Sequence, residues 1–157
     1  FRIVSYICNT NTEKMSNINI FRGQYRNQSD HVFTFDGRHI YDGRYARRSD
    51  IKYTWDGKRL YKGEYPNIGS VLLTFDGKYI YDGQYEIWSK VLYTIKNNMI
   101  YRSYGNSDND IIMMFNGKNL YSGRYEYQNN IIMNSDGDLP LFLMFVMQSN
   151  PVKGLPL

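Results

Sequence analysis

The stretch Val71-Leu-Leu-Thr-Phe-Asp-Gly-Lys-Tyr-Ile-Tyr-Asp-Gly-Gln-Tyr85 decides the fold of this chain. Its first third places apolar side chains at Val71, Leu73 and Phe75, the period-two alternation of a half-buried strand. Asp76-Gly77 follows, a dipeptide suited to a tight hairpin turn. Tyr79 to Tyr85 then supplies a return strand. The pattern recurs at a step of twenty residues, with Asp-Gly at Asp36-Gly37, Asp56-Gly57, Asp76-Gly77 and Asp136-Gly137, and Asn116-Gly117 in phase. A second signal keeps the same step: Phe21-Arg-Gly-Gln-Tyr25, Tyr41-Asp-Gly-Arg-Tyr45, Tyr61-Lys-Gly-Glu-Tyr65, Tyr81-Asp-Gly-Gln-Tyr85 and Tyr121-Ser-Gly-Arg-Tyr125. A fixed period of this kind means one small structural unit copied in tandem.

Counted from Phe21, Tyr41, Tyr61, Tyr81, Tyr101 and Tyr121, the first column is aromatic in all six copies. The third is Gly except at Ser103, and the sixth to tenth are polar and irregular, as in a loop. With Asp-Gly at the centre of a two-residue type I′ turn, Phe75 faces Lys78, Leu73 faces Ile80 and Val71 faces Asp82. One sheet face then carries Val71, Leu73, Phe75 and Ile80 as the core, and the other carries Leu72, Thr74, Tyr81, Gly83 and Tyr85. A three-residue loop with a bulge would shift the register by one and turn the tyrosines inward. Both registers are open at this point.

The expected fold is all-β, built of tandem 20-residue β-hairpin repeats, with a solenoid, a closed barrel and a three-sheet prism all compatible with the spacing. Residues 1–14 read as a leader or decayed repeat, 15–135 as the six-copy repeat domain, and 136–157 as a C-terminal capping segment. Within the last, Leu139 to Met147 is the longest apolar run, a candidate buried strand or cap, with a membrane-touching segment as the sharper alternative. It is too short to span a bilayer as a helix, which takes roughly 20 residues.

Composition narrows the function. The chain has 157 residues, the size of one domain, 42% of them hydrophobic, and a net charge of +4. One cysteine, Cys8, allows neither an internal disulfide nor a cysteine zinc site, and is compatible with the cytoplasm. Phe1 to Lys14 lacks the charged start and clean apolar core of a secretion signal. His31 and His39 match no common metal spacing, and the turn Asp residues are expected to serve backbone geometry rather than calcium. No metal and no cofactor is expected. No nucleophile elbow or phosphate-cradling loop is present. Asp42, Glu64 and Asp82 occupy polar columns of different copies, and an enzyme is not expected.

The candidate ligand-binding residues are Tyr41, Tyr45, Tyr61, Tyr65, Tyr81, Tyr85, Tyr121 and Tyr125. A glycine between two tyrosines leaves a shallow gap flanked by aromatic faces, suited to stacking a sugar ring. Arg38, Lys58, Lys78 and Lys118, one after each turn, form a candidate basic row facing an anionic polymer. Lys beside a turn also guards against aggregation. The expected partner is a glycan or anionic polymer, with self-assembly as a homo-oligomer or fibre the competing role and nucleic acid disfavoured.

In period and aromatic-glycine content the chain resembles the hairpin-repeat modules that bind bacterial cell-wall choline or toxin-receptor sugars. It lacks their Gly-Trp signature, and Trp55 and Trp88 fall in different columns. The Asp-Gly-x-x-Ile-Tyr pattern is similar to strands of the three-faced lectin prisms, without their Gln. The resemblance implies repeated hairpins that display ligand sites.

Overall fold

The computed structural model describes residues 16–149. The leader reading of 1–14 lies outside the described residues, as do 150–157. Twelve strands follow one another: β1 (Ile18–Arg22), β2 (His31–Phe35), β3 (His39–Asp42), β4 (Ile51–Trp55), β5 (Arg59–Lys62), β6 (Val71–Phe75), β7 (Tyr79–Asp82), β8 (Val91–Lys96), β9 (Met99–Arg102), β10 (Ile111–Phe115), β11 (Asn119–Ser122) and β12 (Ile131–Ser135). Among the described residues one α-helix, α1 (Leu141–Ser149), comes after them, and each of the six connections between hairpins ends in a single 3-10 turn. Each strand pairs antiparallel with its chain neighbours, and β1 pairs with β12. The sheet is therefore a closed barrel, which overturns the solenoid and prism alternatives. Closure removes every free strand edge.

The turn register differs from both expected forms. Phe75 faces Ile80 and Leu73 faces Asp82, so the central turn residues are Gly77 and Lys78, not Asp76 and Gly77. Only Gly77 takes positive φ, at +99°, the type II′ pattern. Asp76 instead sits at the first turn position, where its Oδ1 accepts from the backbone N–H of Lys78 at 2.9 Å and of Tyr79 at 2.7 Å. This side-chain bonding is the reason for Asp there. The expected two-residue turn with both φ positive does occur, but at Asn97 (φ 53°) and Asn98 (φ 63°), in the copy that has lost Asp-Gly.

A slip of two residues preserves sidedness. Leu73 and Ile80 are fully buried in the core, and Tyr81 pairs with Thr74 on the outer face, as expected. Val71 is the exception. A bulge between hairpins pairs Tyr61 with Val71 and Leu60 with Leu73, which leaves Leu72 as the extra residue. Val71 is thereby carried out of the inner row, and Leu72 packs against the core in its place. The same irregularity recurs at the other five junctions, from Ile20/Phe21 to Leu120/Tyr121, with the one between β9 and β10 falling at Ile111/Met113.

Two side-chain clasps repeat on the outer wall. Thr34, Thr54, Thr74 and Thr94 each donate through Oγ1 to the carbonyl of Gly43, Gly63, Gly83 and Ser103 at 2.6–2.8 Å. Tyr41, Tyr61 and Tyr81 each donate their hydroxyl to the turn carboxylate of Asp36, Asp56 and Asp76 at 2.7–2.8 Å. Burial pushes these carboxyl pKa values up, but the tyrosine and backbone hydrogen bonds together outweigh it, and all three lie below the ordinary Asp value. Burial and the adjacent carboxylate raise Tyr41 and Tyr81 to about 12.

The ring is closed without a covalent turn. Asp136 occupies the turn column and accepts from Asn19 N at 2.8 Å and Asn19 Nδ2 at 2.7 Å, the place a covalent turn would occupy in the other hairpins. Asn134 stands in the Thr column and donates to the Gly23 carbonyl at 2.7 Å. Arg26 adds bonds to Asn134 Oδ1 and to the Ser135 carbonyl. The sixth hairpin thus joins the last strand to the first.

Twelve strands enclose more space than their own side chains fill. With strands ~4.8 Å apart and tilted ~40°, the ring is on the order of 24 Å across between backbones. Helix α1 occupies that space. Phe142, Leu143, Met144, Phe145, Val146 and Met147 are each at most 2% exposed. Six consecutive residues cover every side of a helix, so α1 is enclosed all round. Phe142 stacks on Phe75 at 5.0 Å and meets Trp55 at 4.6 Å, while Phe145 meets Tyr93 at 4.5 Å, edges from β6, β4 and β8. The apolar run expected as a strand or cap is this core helix.

Phe142→Ala is expected to lower stability by about 3–5 kcal/mol, the cost of a large buried ring plus its cavity, read from denaturant unfolding. Asp36, Asp56 and Asp76 contribute stability above the unfolded carboxyl pKa, and lose it as pH falls through their lower folded values. Asn116 already fills this turn slot, accepting from Asn119 N and donating to the Tyr121 hydroxyl. The triple change Asp36→Asn, Asp56→Asn and Asp76→Asn is therefore expected to fold, and to flatten the acid limb of a Tm-against-pH profile measured by circular dichroism.

Candidate binding surface

Successive strands run in opposite directions, so the six connections at 23–30, 43–50, 63–70, 83–90, 103–110 and 123–130 all leave one end of the barrel, and the Asp or Asn turns lie at the other. Each connection folds back down the outer wall. Thr54 on β4 reaches the Gly63 and Glu64 carbonyls. Lys58, at a turn, meets Glu86 at 2.7 Å, and Tyr79, beside the next turn, meets Trp88 at 5.3 Å between ring centres. The connections are six petals laid against the barrel.

This geometry divides the two tyrosines of each Tyr-x-Gly-x-Tyr. Tyr41, Tyr61, Tyr81 and Tyr121 lie on the outer face of the strands and are 5–7% exposed. They are held in place by their turn partners. Tyr45, Tyr65, Tyr85 and Tyr125 stand beyond the strands, on the petals, and are 50–62% exposed. The intervening glycine takes positive φ, as at Gly83 (+80°), and its N–H continues the ladder to the Leu72 carbonyl. Gly is there for backbone conformation, and the two rings do not form one gap.

Tyr25 and Tyr104 join the exposed set, at 60% and 46%. Tyr25 belongs to the copy that opens with Phe21, and Tyr104 sits one place early, so the Tyr-first pattern passed over both. The exposed aromatics also include Trp88 and Tyr127, which lie in the irregular columns where no periodic signal exists.

The surroundings of the six exposed tyrosines differ. Arg44 and Arg47 lie over the Tyr45 ring at 4.9 and 5.1 Å. Tyr65 accepts from Arg48 at 2.7 Å, and Arg48 also pairs with Glu64 at 2.8 Å. Tyr104 donates to the Trp88 carbonyl and packs on its indole. Tyr125 lies under Arg124 and stacks with Tyr127 at 5.6 Å. Tyr85 lines an open cleft of about 300 Å³ with Ile68, Gly69, Val71, Asp82, Gly83, Gln84 and Lys90. Tyr25 lines another of about 350 Å³ with Gln24, Gln128 and Asn129.

Arg38, Lys58, Lys78 and Lys118 all fall at the second central turn position, at the turn end of the barrel. Their carbonyls accept from Trp55, Phe75, Ile95 and Ser135 of the next strand and stitch the hairpins together. Of their side chains, Lys58 pairs with Glu86 and Lys78 lies over Tyr79. Asp42 pairs with Lys52 at 3.7 Å and Glu64 with Arg48, on separate copies. His31 bonds the Phe33 carbonyl and Thr34, and His39 bonds Thr54. Among the described residues no three His, Cys, Asp or Glu side chains form a metal-binding group, and no helix is long and apolar enough to cross a membrane.

No curated protein and no solved structure matches this chain significantly. The profile of one family, described as 6-fold beta flower protein, matches residues 20–147, which takes in all six hairpins and helix α1 up to Met147. Six petalled hairpins around a buried helix agree with that description, and the chain belongs to the 6-fold beta flower protein family.

Proposed function

We propose that this chain is a non-enzymatic binding module that recognises a glycan or cell-surface polymer through the tyrosines on its petals. The observation that supports this reading is the split within the four Tyr-x-Gly-x-Tyr copies: one tyrosine is committed to the turn clasp, while the other is presented to solvent at half exposure or more. An exposed aromatic ring on a short, clasped loop offers a flat apolar face at small entropic cost, with a hydroxyl at its rim. Repetition around the barrel multiplies weak contacts along a polymer. The first-column tyrosines Tyr41, Tyr61, Tyr81 and Tyr121 serve the scaffold in this reading. The basic row is secondary, since two of its four side chains are engaged by neighbours.

A competing role is self-assembly. Ile68, Ile87 and Trp88 are 50–62% exposed on neighbouring petals, an apolar surface of the kind that joins copies. A concentration-dependent rise in mass by light scattering, abolished by Trp88→Ala, would favour it.

Screening the chain on a glycan array is expected to give hits, and replacing Tyr25, Tyr45, Tyr65, Tyr85, Tyr104 and Tyr125 together by Ala is expected to abolish them. Tyr61→Phe loses one hydroxyl bond to a carboxylate, a cost of about 1.5–3 kcal/mol in stability, and leaves the binding unchanged. The absence of hits to any sugar class would refute the reading.

A further inference from the structure

The two clefts are one site seen twice. The Tyr85 cleft joins the fourth and fifth columns of one copy, Gln84 and Tyr85, to the eighth and ninth of the copy before, Ile68 and Gly69. The Tyr25 cleft joins Gln24 and Tyr25 to Gln128 and Asn129, the same columns brought together across the ring closure. Each of the six junctions between petals repeats this juxtaposition.

Four junctions are engaged by their own side chains. Arg48 ties to Glu64 and Tyr65, Trp88 holds Tyr104, and Asp108 pairs with Arg124 at 3.1 Å, each crossing from the eighth column to the fourth or fifth. At the junction of Tyr45, two guanidinium groups cover the ring. Tyr25 and Tyr85 are different. Their side chains make no hydrogen bond, ring contact or cation contact among the described residues, and they are the two most exposed of the six. The cleft and the unengaged ring are separate observations, and they coincide at these two junctions.

We infer that the clefts at Tyr25 and Tyr85 are paired binding sites, each taking one neutral, polyhydroxylated sugar ring stacked on the tyrosine. This rests on the glycan reading above and narrows it. A volume near 300 Å³ is at the lower end of small-molecule sites, which run roughly 300–1,000 Å³, and suits a single ring. The side chains of Asp82, Gln84 and Lys90 line the first cleft and make no hydrogen bond or ion pair among the described residues, so an acceptor, an amide and a donor stand ready for hydroxyl groups. The Asp82 and Lys90 charges cancel, and the second cleft offers the amides of Gln24, Gln128 and Asn129 with no formal charge. Neither cleft selects for an anion. One lies between the petals of β1–β2 and β11–β12, the other between those of β5–β6 and β7–β8, half the ring apart. Two sites on opposite walls make the chain a cross-linker of polymer strands.

The test titrates neutral tetrasaccharides of glucose, mannose, galactose and N-acetylglucosamine into the full chain by calorimetry, then mixes the matching polysaccharide and follows light scattering. The expected stoichiometry is two sugars per chain with at least one series, with little dependence on salt. Tyr25→Ala or Tyr85→Ala halves it and ends cross-linking, and the double variant ends binding. Tyr65→Ala and Tyr125→Ala leave it at two. All four sites are at least half exposed, and unchanged thermal unfolding confirms that each variant is folded. A stoichiometry near six, or equal losses in Tyr65→Ala, would overturn the paired sites while sparing the glycan reading. Binding confined to anionic polymers would overturn the neutral-sugar assignment. No binding to any saccharide would overturn both.

Discussion

A helix with no exposed face holds this ring open. Twelve strands of four to six residues cannot fill the space they surround, and the inward row of Ile20, Ile40, Leu60, Ile80, Ile100 and Leu120 reaches only part of the way to the axis. Phe142 to Met147 occupies the rest. The consequence is an unusual dependence of repeats on a segment that is not a repeat. In a linear array each unit leans on its neighbours. Here every hairpin also contributes to one shared core, and the last segment of the repeat domain's own chain completes it. The petals beyond the outer-wall clasps are then free to vary, because stability is concentrated inside them.

Much of this was legible in the sequence, for a physical reason that also marks where legibility ended. Strand positions, hairpin pairing and the core parity of Leu73, Phe75 and Ile80 follow from a period of two nested in a period of twenty. The turn was misplaced because Asp-Gly has two uses. It can form the centre of a type I′ turn, or Asp can hold the first position while Gly and the next residue make the bend. Sequence gives the dipeptide in both cases, and only the bonds from Asp76 Oδ1 to the two following N–H groups decide between them. The error moved the register by an even number, so sidedness survived it. The bulge that displaced Val71 moved one side chain by an odd number, and that face assignment failed.

Helix α1 is legible as a buried apolar run but not as a helix, for a different reason. Its run of apolar residues has no period, because every side of it is buried, and without a period a buried helix and a buried strand look alike. The candidate site suffered in the opposite direction. Tyr-x-Gly-x-Tyr is periodic in both tyrosines, and the period alone does not say which one packs on the wall and which stands on the surface. The first column is periodic because an aromatic ring packs on the outer wall in every copy, and in three of them its hydroxyl clasps the turn carboxylate. The side chains that distinguish one junction from another, such as Arg48, Ile68, Trp88 and Gln128, sit in the columns with no pattern at all.

That contrast bears on how such a ring acquires a function. Closure and bulge are constraints shared by the whole ring, turn and clasp by most of its copies, and a residue that serves them has little freedom. The petals share only the backbone of their 3-10 turn, so the side chains at each junction differ: an ion pair at Glu64, an indole at Tyr104, guanidinium groups at Tyr45, and an open cleft at Tyr25 and Tyr85. A ligand that bound all six alike would have to ignore these differences, including the arginines lying over two of the rings. A ligand that met a free aromatic face would find it at two. Recognition on this scaffold is therefore decided where the repeat is broken, and the symmetry of the barrel fixes only the distance and angle between the places where it breaks.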